Sequence, residues 1–167
     1  MLSDFLHRAR VSKTLKPYRR SAARRSAPVE SGQLVELTYD TFAEVALNQS
    51  FDVLVLFRAP HCSSCRPLLS AMEQLARKYK NVSNLLIAHY DTSANDPIEG
   101  YKLLGTPTLL FATRTAKAAP LRFEGGTALK EVDKFVIKHA TVALQARATG
   151  DNSSSARTAS PAHHDDL

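Results

Sequence analysis

The two cysteines of this chain are separated by only two residues, at a point where a buried strand is predicted to pass into a helix. Residues 53–57 form an unbroken apolar run, which is typical of a strand covered on both faces of a sheet. Residues 64–80 instead carry apolar side chains at helical spacing, in a stripe of Leu68, Leu69, Met72, Leu75, Ala76 and Tyr79. Because Cys62 and Cys65 lie at this transition, the pattern predicts both sulfurs at the N-terminal end of the helix.

The spacing of the cysteines favours a chemical role over a structural one. A disulfide stabilises a fold mainly by closing a long loop, and a loop as short as this one gives only about 2 kcal/mol. A structural zinc site normally needs four ligands, and the chain has no second Cys-x-x-Cys motif and no His-x-x-x-His motif. His163 and His164 lack a companion ligand, so no metal site is predicted within one chain. A metal site shared between two copies is a more distant alternative.

The position of the pair on the helix suggests how it would react. The first turn of a helix has unpaired N–H groups and the positive end of the helix dipole, which together stabilise a thiolate. A lowered pKa would make Cys62 both the attacking nucleophile and a good leaving group. Cys65, one turn further along, would then be the resolving cysteine that closes the intramolecular disulfide and releases a trapped partner.

The rest of the chain alternates between strand and helix patterns. Short apolar runs predict further strands at residues 34–37, 85–90, 108–112 and 121–123. Helical spacing predicts a helix at residues 40–47, a short helical stretch near Tyr101, and a last helix with Val132, Phe135, Val136 and Ala140 on one face. The alternation predicts an α/β sandwich of about a hundred residues.

Composition divides the chain into three parts and limits its partners. The net charge of +6 lies within residues 1–32, which carry eight basic side chains against two acidic ones. The remainder is neutral, so no nucleic-acid partner is predicted. Residues 33–147 are predicted to fold and residues 148–167 to form a disordered polar tail. No apolar run reaches the length of about 20 residues that a membrane span needs.

Five motifs, in order, resemble a thioredoxin-fold domain, and most closely the catalytic domain of a protein disulfide isomerase. They are Leu37-Thr38-Tyr39-Asp40-Thr41-Phe42, Ala59-Pro60-x-Cys62-x-x-Cys65, Ile87-Ala88-His89-Tyr90-Asp91, Gly105-Thr106-Pro107-Thr108 and Phe123-Glu124-Gly125. The resemblance implies a three-layer sandwich with a central mixed sheet. It also implies a cis bond before Pro107 and a Thr106 backbone that pairs with the substrate chain.

The residues that handle the proton of the second cysteine differ from that family's pattern. The buried carboxylate expected on the second strand falls at Leu56, and the lysine that usually partners it falls at His89. Changing both avoids leaving one buried charge unpaired. We therefore expect deprotonation of Cys65, and with it the release of mixed disulfides, to be slow.

Residues around the cysteines also depart from the pattern. His61 stands where the family usually has Trp, and Ser63-Ser64 replace Gly-His between the cysteines. A protonated His61 would favour the Cys62 thiolate, while the competing interpretation makes it an ordinary side chain of the active-site rim. Arg66 is predicted on the solvent face of its helix, where it adds positive potential near the sulfurs.

The leading hypothesis is a thiol–disulfide oxidoreductase that acts in protein folding and redox homeostasis. It would need no cofactor beyond the redox-active disulfide of Cys62 and Cys65, and nothing requires more than a monomer. Its expected partners are proteins carrying thiols or disulfides, and a recycling partner or glutathione. The alternative is a substrate-binding or chaperone module on the same scaffold with little redox turnover.

The two ends of the chain give conflicting indications of location. The terminal His164-Asp165-Asp166-Leu167 is similar to the four-residue retrieval signals of lumenal proteins of the endoplasmic reticulum. The Arg-rich residues 1–32 instead resemble a mitochondrial transit peptide, and a disordered basic arm is an equally weighted interpretation of the same segment. The endoplasmic reticulum lumen is the first prediction, with the mitochondrion and the cytosol as alternatives.

Overall fold

The computed structural model describes residues 20–22, 32–141 and 144, and these contain five strands and three helices. The strands are β1 (Val35–Leu37), β2 (Asp52–Arg58), β3 (Leu85–Asp91), β4 (Thr108–Ala112) and β5 (Leu121–Arg122). The helices are α1 (Tyr39–Val45), α2 (Cys65–Lys78) and α3 (Leu129–His139). Most of residues 1–32 and the whole 148–167 tail, including the predicted retrieval signal, lie outside the described residues.

The strands form one mixed sheet in the order β1-β3-β2-β4-β5. β1, β3 and β2 run parallel, whereas β4 is antiparallel to β2 and β5 is antiparallel to β4. The central strand β2 is buried along its length except at Arg58, as its unbroken apolar sequence predicts. Both of its neighbours therefore hold it in a fixed register.

The two faces of the sheet are covered by different helices. Alternate β2 residues such as Leu54 and Leu56 pack with the apolar stripes of α2 and α3 in one core cluster. Val53, Val55 and Phe57 point to the other face, where the cluster includes Phe42 of α1. The arrangement confirms the predicted three-layer α/β sandwich.

One predicted element is absent. Residues around Tyr101 form no helix, only a turn in which the Tyr101 N–H donates to Ile98 O at 3.1 Å. Gly100 has φ +84°, in the left-handed region that ends a right-handed helix. Tyr101 is instead buried in an aromatic cluster, with its ring centroid 5.1 Å from that of Phe42.

Part of the basic N-terminal segment packs on the domain. The Arg20 N–H donates to the Asp96 carboxylate at 2.8 Å, and the Asp96 N–H donates back to Arg20 O at 2.9 Å. The Ala22 N–H donates to Oδ1 of the buried Asn95 at 2.8 Å. These residues contact the loop after β3, at the carboxyl ends of the parallel strands. Among the described residues, no helix is both long enough and apolar enough to cross a membrane.

Candidate active site

The cysteines lie on a tight turn between the central strand and α2. The Cys62 N–H donates to Ala59 O at 3.2 Å, and the Cys65 N–H donates to Cys62 O at 3.2 Å. α2 begins at Cys65, as the change of sequence period predicts. The two cysteines form a disulfide with an Sγ–Sγ distance of 2.08 Å.

The two sulfurs differ in their access to solvent. Cys62 is half-buried, whereas Cys65 is only 3% exposed and contributes to the buried face of α2. An incoming thiolate or disulfide can therefore reach Cys62 more readily than Cys65. The neighbouring His61, Ser63, Ser64 and Arg66 side chains are all exposed.

Ser64 places its hydroxyl on the sulfur instead of on the helix backbone. It is the N-cap residue of α2, yet its side chain makes no capping hydrogen bond. Ser64 Oγ lies 3.4 Å from Cys62 Sγ, and since a disulfide sulfur carries no proton, the hydroxyl is the donor. The same hydroxyl is placed to donate to a Cys62 thiolate after reduction.

The charge distribution at the start of α2 also suits a thiolate. The first turn contains no acidic residue, so no carboxylate opposes the positive end of the helix dipole. Arg66, in that turn, adds a positive charge at the solvent surface. His61 makes no hydrogen bond or ion pair with the cysteines in the described part of the chain, and its predicted influence on Cys62 stays a prediction.

The loop before β4 lies beside the cysteine turn. β2 and β4 are antiparallel, and Phe57 of β2 is paired with Thr108 of β4. The chain that follows Phe57 and the chain that precedes Thr108 therefore leave the sheet at the same end of these strands. The Thr106–Pro107 peptide bond is cis, as the family resemblance implies. Thr108 Oγ1 donates to Gly105 O at 2.7 Å and so holds the loop against its own strand.

The positions that depart from the family pattern are neighbours in the sheet. Leu56 and His89 are paired in the register of β2 and β3, and Leu56 is fully buried in the core. His89 Nδ1 accepts a hydrogen bond from Arg58 Nε at 3.3 Å, so this nitrogen carries no proton. His89 therefore serves Arg58 as an acceptor.

Arg58 also faces Asp91, its register partner at the end of β3. Arg58 Nη1 lies 3.8 Å from Asp91 Oδ2, with both side chains largely buried. Burial by itself would raise the pKa of the Asp91 carboxyl, but hydrogen bonds from Ser93 and the Arg58 charge outweigh burial. The pKa of Asp91 is consequently held below its usual value of 3.8.

Sequence patterns singled out the cysteine pair and the proline loop as candidates, but not Arg58 and its contacts with His89 and Asp91. The sequence contained a signal, since an arginine directly after an apolar buried strand and an aspartate at the end of the next strand are candidates for an ion pair. Pairing them required the strand order, which the sequence does not state. Among residues 20–22, 32–141 and 144, no three metal-ligating side chains come together.

We expect Ser64→Ala to raise the pKa of the reduced Cys62 thiol by up to about one pH unit, because the thiolate loses a hydroxyl donor. Ser63→Ala is the matched control, since the Ser63 side chain makes no hydrogen bond with the sulfur among the described residues. The pKa of Cys62 in each variant is measured from the thiolate absorbance during a pH titration of the reduced protein. Equal pKa values in the two variants would show that the Ser64 hydroxyl does not act on the thiolate.

We expect Asp91→Asn to lower the free energy of unfolding at neutral pH. Because the folded pKa lies below the unfolded one, the ionised carboxylate stabilises the fold above pH 3.8, and this stabilisation is lost as the pH falls through the folded pKa. Urea unfolding should show a difference in the free energy of unfolding between Asp91→Asn and wild type that is smaller near pH 3 than at pH 7. The exposed Glu124→Gln variant is the control, and a pH-independent Asp91→Asn difference would contradict the interaction.

Comparison with known proteins places these features in a family. The Thioredoxin family model matches residues 33–138. Protein disulfide-isomerase A4 of Homo sapiens is 42% identical over 103 residues, which cover 60% of this chain and 16% of that protein. Protein disulfide-isomerase A3 of Gallus gallus is 31% identical over 120 residues, 70% of this chain and 24% of that one. The chain thus spans less than a quarter of the length of these relatives.

A solved structure supports the same fold. The J-Trx1 fragment of ERdj5 superposes with a TM-score of 0.54 at 17% identity, covering 65% of this chain and 52% of that one. The family match includes every strand and all but the last residue of α3, together with the cysteine turn and the cis-proline loop. This chain belongs to the thioredoxin family.

Proposed function

We propose that this protein catalyses thiol–disulfide exchange on polypeptide substrates, with Cys62 as nucleophile and Cys65 as resolving residue. The thioredoxin domain and its Cys62–Cys65 disulfide support oxidoreductase activity. The observation that carries the assignment of roles is the difference in exposure between Cys62, which is half-buried, and Cys65, which is 3% exposed. A substrate sulfur can approach the first and not the second.

The reductive half of the exchange uses two displacements. The Cys62 thiolate attacks one sulfur of a substrate disulfide, forms a mixed disulfide with it, and releases the other substrate sulfur as a thiolate. Cys65 then loses its proton to solvent and attacks Cys62 Sγ. This step forms the Cys62–Cys65 disulfide and releases the second substrate sulfur as a thiolate, so the substrate gains the two electrons that the cysteine pair gives up. Oxidation of a substrate dithiol is the reverse sequence.

The surroundings of the pair assign supporting roles. Ser64 and the start of α2 stabilise the Cys62 thiolate, with Arg66 adding positive potential and Ser63 completing the turn. Thr106 offers its backbone to an extended substrate chain, and Pro107 shapes the groove beside the sulfurs. With Leu56 in place of the carboxylate of the family, no carboxylate stands at this position of β2 to take the proton of Cys65, which makes the second displacement slow.

We propose the lumen of the endoplasmic reticulum as the site of action and a monomer as the active species. Support for the location comes from the terminal His164-Asp165-Asp166-Leu167, which is similar to lumenal retrieval signals. Glutathione or a redox-recycling protein would restore the pair after each turnover. A reduction potential close to that of the reductants in this compartment would support the location, and one far below it would oppose it.

We expect Cys65→Ser to accumulate a covalent mixed disulfide with a disulfide-containing polypeptide such as insulin, because the resolving thiol is gone. Cys62→Ser should form none, since the remaining sulfur is buried. Non-reducing electrophoresis after alkylation distinguishes the two variants. Both lack the intramolecular disulfide, so each controls for its loss in the other.

The opposite trapping pattern would reverse the assigned roles, and no trapping by either variant would contradict the exchange mechanism. The substrate-binding or chaperone function makes a different forecast. Cys62→Ser would then suppress the aggregation of an unfolded protein as well as wild type does, although it has no oxidoreductase activity.

A further inference from the structure

The most exposed large apolar side chain in the described residues lies in the loop that precedes Pro107. Leu104 is 87% exposed, compared with 50% for Ile137, the next in order. Leu104 directly precedes the Gly105-Thr106-Pro107 loop. A single exposed leucine is ordinary on a protein surface, so its significance depends on how it is held and what stands beside it.

The loop that carries Leu104 is fixed on both sides of it. On one side, Arg122 Nη2 donates to Lys102 O at 3.1 Å, and the buried Tyr101 hydroxyl donates to Lys117 O at 3.1 Å. On the other side, the Gly105 carbonyl accepts the Thr108 hydroxyl. Gly105 has φ +141°, which the loop reaches easily only with glycine.

These contacts hold the loop in a conformation in which the Leu104 side chain is exposed to solvent. Leu103, its neighbour, is partly buried and packs against the core cluster of the α1 face, while Leu104 points to solvent. An apolar side chain held in water by an anchored loop gains free energy from any apolar partner that covers it. The loop conformation is already set, so little ordering entropy is lost on binding.

The position of Leu104 relative to the cysteine turn indicates which kind of partner would cover it. Because Phe57 and Thr108 are opposite each other on adjacent strands, Thr106 and the start of the cysteine turn are close neighbours. Leu104 lies two residues further out, at most about 7 Å along an extended chain. A polypeptide whose sulfur reaches Cys62 and whose backbone follows the loop would bring its nearby residues close to Leu104.

We infer that Leu104 is a specificity-determining contact that favours substrates with a large apolar side chain two to four residues from their reactive cysteine. The inference rests on the proposed exchange activity and names its substrate class. The preferred substrate is an extended, unfolded segment, because such apolar neighbours are usually buried in folded proteins. Leu104 acts on binding and takes no part in the displacement steps.

The test uses short peptides with one cysteine in mixed disulfide with thionitrobenzoate, whose release by the reduced full chain is coloured. One series carries leucine, and a matched series serine, at each position flanking the cysteine. In single-turnover reactions of the reduced wild type, we expect the peptide concentration that gives half the maximal rate to be about three- to tenfold lower for leucine at one or more positions, with the maximal rate constant little changed. Leu104→Gln should abolish this preference and leave the serine peptides unaffected.

Ile137→Gln is the control, since it removes a half-exposed apolar side chain from α3. Reaction with the small disulfide dithiobis-nitrobenzoate distinguishes a failure of the proposed exchange activity from a failure of the role assigned to Leu104. Normal reaction with it, combined with no leucine preference in wild type or a preference that survives in Leu104→Gln, overturns the assignment of Leu104 alone. No reaction with this reagent overturns the exchange activity and the assignment together.

Discussion

The burial of β2 between β3 and β4 is the constraint on which the rest of the site depends. Five consecutive apolar residues with near-zero exposure leave this strand one place in the sheet, and the two registers follow from it. One register sets Arg58 against Asp91, and the other sets Phe57 against Thr108. The cysteine turn thereby emerges between a charged cluster on one side and the cis-proline loop on the other. A slip of one residue would turn every β2 side chain to the opposite face.

The electrostatics of the site divide between its two sulfurs. Cys62 has the start of α2 and the Ser64 hydroxyl, both of which favour a thiolate. Cys65 is only 3% exposed, with Leu56 where the proton acceptor of the family is expected, and burial disfavours the charged form of a thiol. On the strand beside Leu56, His89 accepts a hydrogen bond from Arg58. The structure thus gives Cys62 surroundings that favour a thiolate and leaves Cys65 buried.

The parts predicted from sequence were those with strong local signals. The apolar run of β2 and the helical stripe of α2 each favour their own conformation within a few residues, whereas the cis bond before Pro107 was predicted from the family resemblance. The helix expected near Tyr101 did not form, because a left-handed Gly100 ends the turn and burial of the tyrosine ring in the aromatic cluster decides the path. The Arg58 hydrogen bond to His89, the contact of Arg20 with Asp96 and the exposure of Leu104 depend on strand order and loop packing. No local pattern specifies these.

The reduction potential of the Cys62–Cys65 couple, from a glutathione titration with thiol trapping, tests the central claim most directly. A working exchange pair with a stabilised Cys62 thiolate should show one two-electron transition between the ~−270 mV of thioredoxin and the ~−120 mV of the strongly oxidising DsbA. Within this range, a value near ~−180 mV would match protein disulfide isomerase and an oxidative role. A potential below about −300 mV, typical of structural disulfides, or the absence of any intramolecular disulfide at every glutathione ratio, would contradict the proposed function.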